Sequence, residues 1–150
     1  MKNLKLCTVI ASTLLAAASL TACNRGPDPA KVREDVSKAQ ADGQKKIADA
    51  QAKFDKTMAE VTKNVTDSAN ASANGASPAP ADSGDKKKIA DAQYDVDKAK
   101  AEASYDVAKA QCEAQTGDAE KSCKDSAKAS YESATAAAKS KNDQAKAAAG

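Results

Sequence analysis

Small and apolar side chains recur along residues 29–67 in alternating steps of four and three positions. Val32, Gly43 and Phe54 are each 11 residues apart on this pattern. A period of 11 corresponds to about 3.67 residues per turn, so such a stripe stays straight or drifts slightly right-handed along an α-helix. The pattern predicts one long amphipathic helix over 29–67. Its stripe contains Val32, Val36, Ala39, Gly43, Ile47, Ala50, Phe54, Met58, Val61 and Val65.

Three local features refine this helix. Asp28 followed by Pro29 predicts its start, because Asp caps a helix and Pro suits the first helical position. Asp42 and Lys46 have the acid-before-base spacing that forms an ion pair within one helix. Gly43 has two interpretations, since a glycine on the stripe is either a weak point or a place of close contact with another helix.

The second half of the chain predicts a helical hairpin. Residues 68–84 have no large apolar side chain and contain two prolines, so we expect a disordered linker there. From residue 85 the 4-3-4 spacing returns through Val96 and Val107, and the heptapeptide 45–51 is repeated at 87–93. Gly117 and Asp118 predict a turn. We therefore expect an all-α fold of Ala-rich helices with an antiparallel hairpin over 85–150, its second helix running from about 119 to 148.

Two cysteines lie symmetrically about this turn. Folding the chain back at Gly117 brings Cys112 opposite Cys123, and Tyr105 near Tyr131. A disulfide closing such a loop stabilises by about 3 kcal/mol on the chain-entropy model. The alternative is a redox-active or metal-binding pair, but the spacing matches neither a zinc site nor a Cys-x-x-Cys motif. The sequence favours a structural disulfide.

The N-terminus has the pattern of an export signal. Lys2 and Lys5 precede a mostly apolar run from Leu6 to Leu20, which is too short to span a bilayer comfortably. The run ends in Leu20-Thr21-Ala22-Cys23. These residues resemble the lipobox of bacterial lipoproteins. The resemblance implies a signal peptide over 1–22 and a lipidated tether over 23–28.

In that family the cysteine thiol receives a diacylglyceryl group and the new amino group is often acylated, typically with palmitate. The resemblance therefore implies membrane attachment through acylated Cys23, facing the periplasm. Asn24 occupies the position where Asp retains such proteins in the inner membrane of enterobacteria. It implies the inner leaflet of the outer membrane.

The composition argues against two classes of protein, nucleic-acid binders and globular enzymes. Beyond Cys23 the acidic and basic residues are equal in number, which argues against a nucleic-acid binder that depends on a basic field. Every Leu precedes Cys23, and His and Trp are absent, so a globular enzyme core is not expected. The residues suggest no catalytic group, cofactor or metal site.

Two functions fit these features. The first is a helical structural or interaction spacer of the cell envelope, with peptidoglycan or an envelope protein as partner, or a second copy bound through Val32, Val36, Ile47, Phe54, Met58, Val61 and Val65. The second is a stress protectant, because 11-residue repeats rich in Ala and Lys resemble late-embryogenesis-abundant proteins. Tyr105-x-x-Ala-Lys-x-x-Cys112, Gly117-Asp-Ala and Cys123-x-x-x-Ala-Lys-Ala also resemble small proteobacterial envelope proteins of unknown function, a resemblance that implies no activity.

Overall fold

The protein is all-helical. The computed structural model describes residues 26–73 and 82–150, and in these ranges it contains three α-helices and no strand. They are α1 (Pro29–Ala73), α2 (Ser83–Cys112) and α3 (Gly117–Ala148). The predicted fold class is confirmed. The signal peptide 1–22, Cys23 and residues 74–81 of the predicted linker lie outside the described residues.

Several helix boundaries differ from the sequence prediction. α1 begins at Pro29 as predicted, and the Asp28 carboxylate accepts a hydrogen bond from the Ala30 amide at 2.9 Å. It continues to Ala73, so the linker predicted from residue 68 was placed too early. Residues 68–73 contain no proline and alternate helix-favouring Ala with Ser and Asn, so nothing there stops the helix. α2 starts at Ser83 because Asp82 caps it, accepting from the Gly84 amide at 2.8 Å.

The turn between α2 and α3 also falls earlier than predicted. α2 ends at Cys112, and α3 already begins at Gly117. Gly117 has φ of +61°, the left-handed conformation that glycine adopts at little cost. Asp118 was expected to cap α3, but it lies inside the first turn, where its negative charge faces the positive end of the helix dipole.

α2 lies between the other two helices. α1 packs on α2 and α2 packs on α3, and both pairs are antiparallel. The direction follows from the paired positions: Lys46 meets Asp106 whereas Asn64 meets Asp85. Asp91 meets Asn142 near one end of the second pair, and Cys112 meets Cys123 at the other. The helices therefore run up, down and up, with α2 shared by both interfaces.

The interface between α1 and α2 is built mostly from small side chains. Ala50 of α1 packs with Val96 and Ala99 of α2, and Ile47 and Phe54 lie against this cluster. Val96 is 1% exposed and is, with Cys112, the largest fully buried side chain of the described residues. Because the buried side chains are this small, the two helix axes approach closely.

The two helix backbones come close together at Gly43. A Cβ atom built on Gly43 would lie 2.7 Å from Ala103 Cβ and 3.2 Å from Ala103 Cα. Separations this short do not occur between real Cβ atoms, so only glycine fits at this position. Of the two interpretations of Gly43, the structure supports close helix contact.

α2 buries a second stripe that the sequence reading did not find. Val96, Ala99, Ala103 and Ala110 face α1, whereas Ala90, Ala101 and Cys112 belong to the side that meets α3. At about 100° per residue the two stripes lie on nearly opposite sides of the helix. α1 and α3 are therefore held on opposite sides of α2, which produces an open layer of three helices.

The stripe that sequence reasoning offered to a second copy lies largely against α2 of the same chain. Gly43, Ala50 and Val61 are buried and Ile47 and Phe54 are half-buried. Met58 and Val65 are the exposed large apolar residues among those described. Self-association through the whole stripe would require α1 to leave α2.

We expect Gly43→Ala to destabilise the protein. Alanine favours an isolated helix by about 1 kcal/mol over glycine, but here its methyl group overlaps Ala103, and overpacking costs about 1–3 kcal/mol. The free energy of unfolding in urea should therefore fall by up to about 2 kcal/mol. The double variant Gly43→Ala with Ala103→Gly should lose less stability than the two single variants lose together, since removing the Ala103 methyl group restores the space. A stabilised Gly43→Ala variant would show that α1 does not pack on α2 at this point.

Candidate functional site

The candidate site is the end of the bundle that holds the turn between α2 and α3. Cys112 and Cys123 form a disulfide in the structure, with their Cα atoms 5.5 Å apart. Cys112 is 1% exposed and Cys123 is half-buried. Residues 113–116 form the turn, and carbonyl groups at the end of α2 accept hydrogen bonds from the amides of 113, 114 and 115. The disulfide thus lies beside the turn, with Cys112 buried and Cys123 half-buried, a position typical of a structural crosslink.

An aromatic contact lies two turns further along the same interface. The rings of Tyr105 and Tyr131 are 5.3 Å apart between centroids and tilted by 36°. This is within the favourable range for offset aromatic pairs. The predicted proximity of these residues is therefore confirmed. Together with the disulfide, the pair fixes the register of α3 on α2.

The first turn of α1 reaches this same end. The pKa of Lys31 is raised mainly by Asp35, four residues further along α1. The charge of Glu113 in the turn makes a smaller contribution, which shows that Lys31 lies near the turn. The antiparallel pairing of α1 with α2 has the same consequence. The chain therefore enters the folded region beside the disulfide-linked turn.

Polar contacts join α1 to α2 at two levels. Lys46 Nζ donates to Asp106 Oδ2 at 2.9 Å, so Lys46 pairs across helices instead of with Asp42 as predicted. This hydrogen bond raises the pKa of Lys46. Near the other end, Asp85 is buried and accepts hydrogen bonds from Lys88 at 3.0 Å and Asn64 at 3.4 Å. These two contacts hold the pKa of Asp85 below its ordinary value of 3.8.

A further polar group joins α3 to α2. Asp91 pairs with Lys146 and accepts a hydrogen bond from the Asn142 amide at 3.1 Å. The Lys146 contact, with Asn142 adding to it, lowers the pKa of Asp91. Since folding lowers the pKa of Asp85 and Asp91, these contacts stabilise the fold above the ordinary carboxyl pKa. That contribution is lost as the pH falls through the lowered values.

These cross-helix groups were not found by sequence reasoning. Period and charge along one helix identify partners three or four residues away, whereas Asp106 is 60 residues from Lys46. The one sequence feature that could have drawn attention to any of these groups is the repeated heptapeptide, because Asp91 belongs to its second copy. Partners across two interfaces depend on the register of the helices, which the spacing alone does not specify.

The described residues contain no group of three metal-ligating side chains, and their carboxylates are paired with lysines or lie on helix surfaces. No helix among them is both long and apolar enough to cross a bilayer. In comparisons with known proteins, the chain matches no protein-family model, no curated protein and no solved structure. The proposal below therefore rests on the N-terminal motif and the geometry of the bundle.

We expect removal of the disulfide to weaken the hairpin strongly. Replacing Cys112 and Cys123 together by Ala should lower the free energy of unfolding by about 3 kcal/mol, the loop-closure entropy returned to the unfolded chain. Alkylation without reductant of the protein recovered from its native host should modify neither Cys112 nor Cys123. Modification of both, or an unchanged unfolding curve for the double variant, would contradict a structural disulfide.

Proposed function

We propose that this protein is a lipid-anchored helical spacer of the bacterial cell envelope, held in the outer membrane through acylated Cys23 and facing the periplasm, without catalytic activity. The observation that carries the proposal is the distance between anchor and fold. α1 begins at Pro29, only six residues after Cys23, and continues for 45 residues. A short tether followed directly by a long helix holds the fold beside the membrane.

The proposal includes an orientation of the spacer relative to the membrane, which the arrangement of the helix ends supports. The start of α1 and the α2–α3 turn occupy one end of the layer, so the disulfide lies at the membrane-proximal end. The beginning of α2 and the end of α3 lie together at the other end, where Lys146 pairs with Asp91. The Lys86-Lys87-Lys88 run is at this distal end and would face the cell wall or a periplasmic partner.

The reach of the spacer follows from the helix lengths. α1 alone would extend about 68 Å at 1.5 Å per residue, and α2 covers about 45 Å of it. A lone surface helix of this composition is marginally stable in water, because helices gain most of their stability from packing. α2 provides that packing for α1, and α3 packs on the other side of α2, which favours a stiff spacer over a single flexible helix.

These packed contacts also favour the spacer over the stress protectant. A protectant of the late-embryogenesis-abundant type stays unfolded until dried or bound to a membrane. The chain instead has a glycine, Gly43, that fits against one alanine on another helix. It also has a buried carboxylate with two partners, Asp85, and a disulfide beside the turn of the hairpin. Contacts this specific are expected in a chain that folds in dilute solution and not in one that stays unfolded there.

Cys23→Ser should abolish lipidation. Cells supplied with radioactive palmitate are expected to label the parent protein and not the variant, because the serine hydroxyl is not the acylated thiol of the lipobox. Cys7→Ser is the matched control and should keep the label, since Cys7 lies within the proposed signal peptide. Retained label in the Cys23→Ser protein would refute the anchor.

Energy transfer to lipids tests the orientation. The acylated protein is placed in vesicles that contain acceptor-labelled headgroups. A donor dye is attached either at residue 115, in the turn that follows α2, or at residue 83, at the start of α2. Gln115 and Ser83 are both exposed. The two sites differ by about 45 Å along the helix. We expect far stronger transfer from residue 115. Equal transfer would mean that the layer lies flat on the membrane, and stronger transfer from residue 83 would invert it.

A further inference from the structure

A groove of two adjoining lobes lies along the interface of α2 and α3, and the cross-helix pair of Asp97 and Lys141 lies where the lobes meet. The groove consists of a lobe of about 590 Å³ and a lobe of about 390 Å³ that share Asp97, Ala138 and Lys141. The larger lobe reaches Tyr105 and Tyr131, whereas the smaller reaches Ile89 and extends to Phe54 of α1. From Ile89 to Tyr105 the groove follows 16 residues of α2, or about 24 Å.

Every aromatic side chain of the sequence lines this groove. The chain contains one Phe, three Tyr and no Trp. Phe54 and Tyr94 line the smaller lobe, and Tyr105 and Tyr131 line the larger. About half of the remaining lining residues are alanines, and the polar ones include Gln93, Ser104, Ser130 and Asn142. Ligand sites are typically concave and apolar with a few polar groups that fix orientation.

The charged groups of the groove are mostly positive. Lys86, Lys100 and Lys141 line it together with a single acid, Asp97. Asp97 lies 4.0 Å from Lys141, so the groove itself provides no acid for Lys86 or Lys100. Apolar walls below a cationic rim are complementary to a ligand with an apolar body and an anionic head.

We propose that this groove binds a single-chain anionic amphiphile such as a long-chain fatty acid. Its apolar chain lies on the alanine side chains between the aromatic rings, and its carboxylate meets the lysines of the rim. The groove is long enough, since one acyl chain spans about half of the roughly 30 Å hydrocarbon core of a bilayer. This binding site is independent of acylation at Cys23.

Tyrosine fluorescence gives a direct measurement, because all three tyrosines lie in the groove and no tryptophan masks them. The full chain with Cys23→Ser, which carries no acyl group of its own, is titrated with palmitate below its micellar concentration. We expect a saturable change in tyrosine emission. Octanoate should bind at least about tenfold more weakly because fewer methylene groups are buried. Palmitate methyl ester should also bind more weakly, since it has no charge.

Two matched pairs of variants locate the site. Ala134 lines the larger lobe, whereas Ala136 is an exposed alanine of the same helix outside the lining. Both substitutions should keep the helix, since leucine is nearly as good a helix former as alanine. Ala134→Leu should weaken palmitate binding at least tenfold because the leucine side chain fills the lobe. Ala136→Leu should leave palmitate binding unchanged. Lys100→Gln should weaken it about two- to fivefold, as for a partly exposed ion pair, and Lys109→Gln should not. Any binding by residues 1–22 is common to all variants.

Three results would overturn the proposal. The first is the absence of a saturable tyrosine response. The second is equal palmitate binding by Ala134→Leu and Ala136→Leu, with both variants as helical as the parent. The third is tighter binding of the methyl ester than of palmitate. A tyrosine signal that depends on protein concentration alone would assign the groove to a second copy of the chain instead.

Discussion

Close approach of helix backbones is the constraint on which the rest of this structure depends. Beyond Cys23 the chain has few large apolar side chains to bury, and the largest fully buried side chains of residues 26–73 and 82–150 are a valine and a disulfide cysteine. Dispersion and burial can then be gained only by bringing the helix axes together, which requires glycine and alanine at the interfaces. Gly43 against Ala103 is one example, because a Cβ on Gly43 would overlap Ala103.

Small interfaces gain little per residue, so the fold adds fixed points along its length. The disulfide and the tyrosine pair fix α3 on α2 near the turn, and Asp91 with Lys146 fixes them near the other end. Lys46 with Asp106 and the buried Asp85 do the same for α1. These contacts are spaced along the helices and resist sliding or bending. Resistance to sliding and bending is the mechanical property that the proposed spacer function requires.

Placing α2 in the middle has a consequence for the surface. α1 and α3 lie on opposite sides of α2, so one face of the α2–α3 interface is left open as a groove. In a closed bundle of three helices that space would be core. Here aromatic rings from all three helices line it beneath a rim of lysines.

The sequence alone determined the helices, the start of α1 and the pairing of Cys112 with Cys123, because periodicity, capping and symmetry about a turn act within a short stretch of chain. It also predicted that Gly43 was either weak or a close contact, without deciding between them. The tertiary structure decided that question and showed that α2 buries two faces. It brought Lys46 to Asp106 and collected the four aromatic residues in one groove. These features depend on helix register and on which helix occupies the middle, and alanine-rich faces specify register weakly because neighbouring alanines have nearly the same shape.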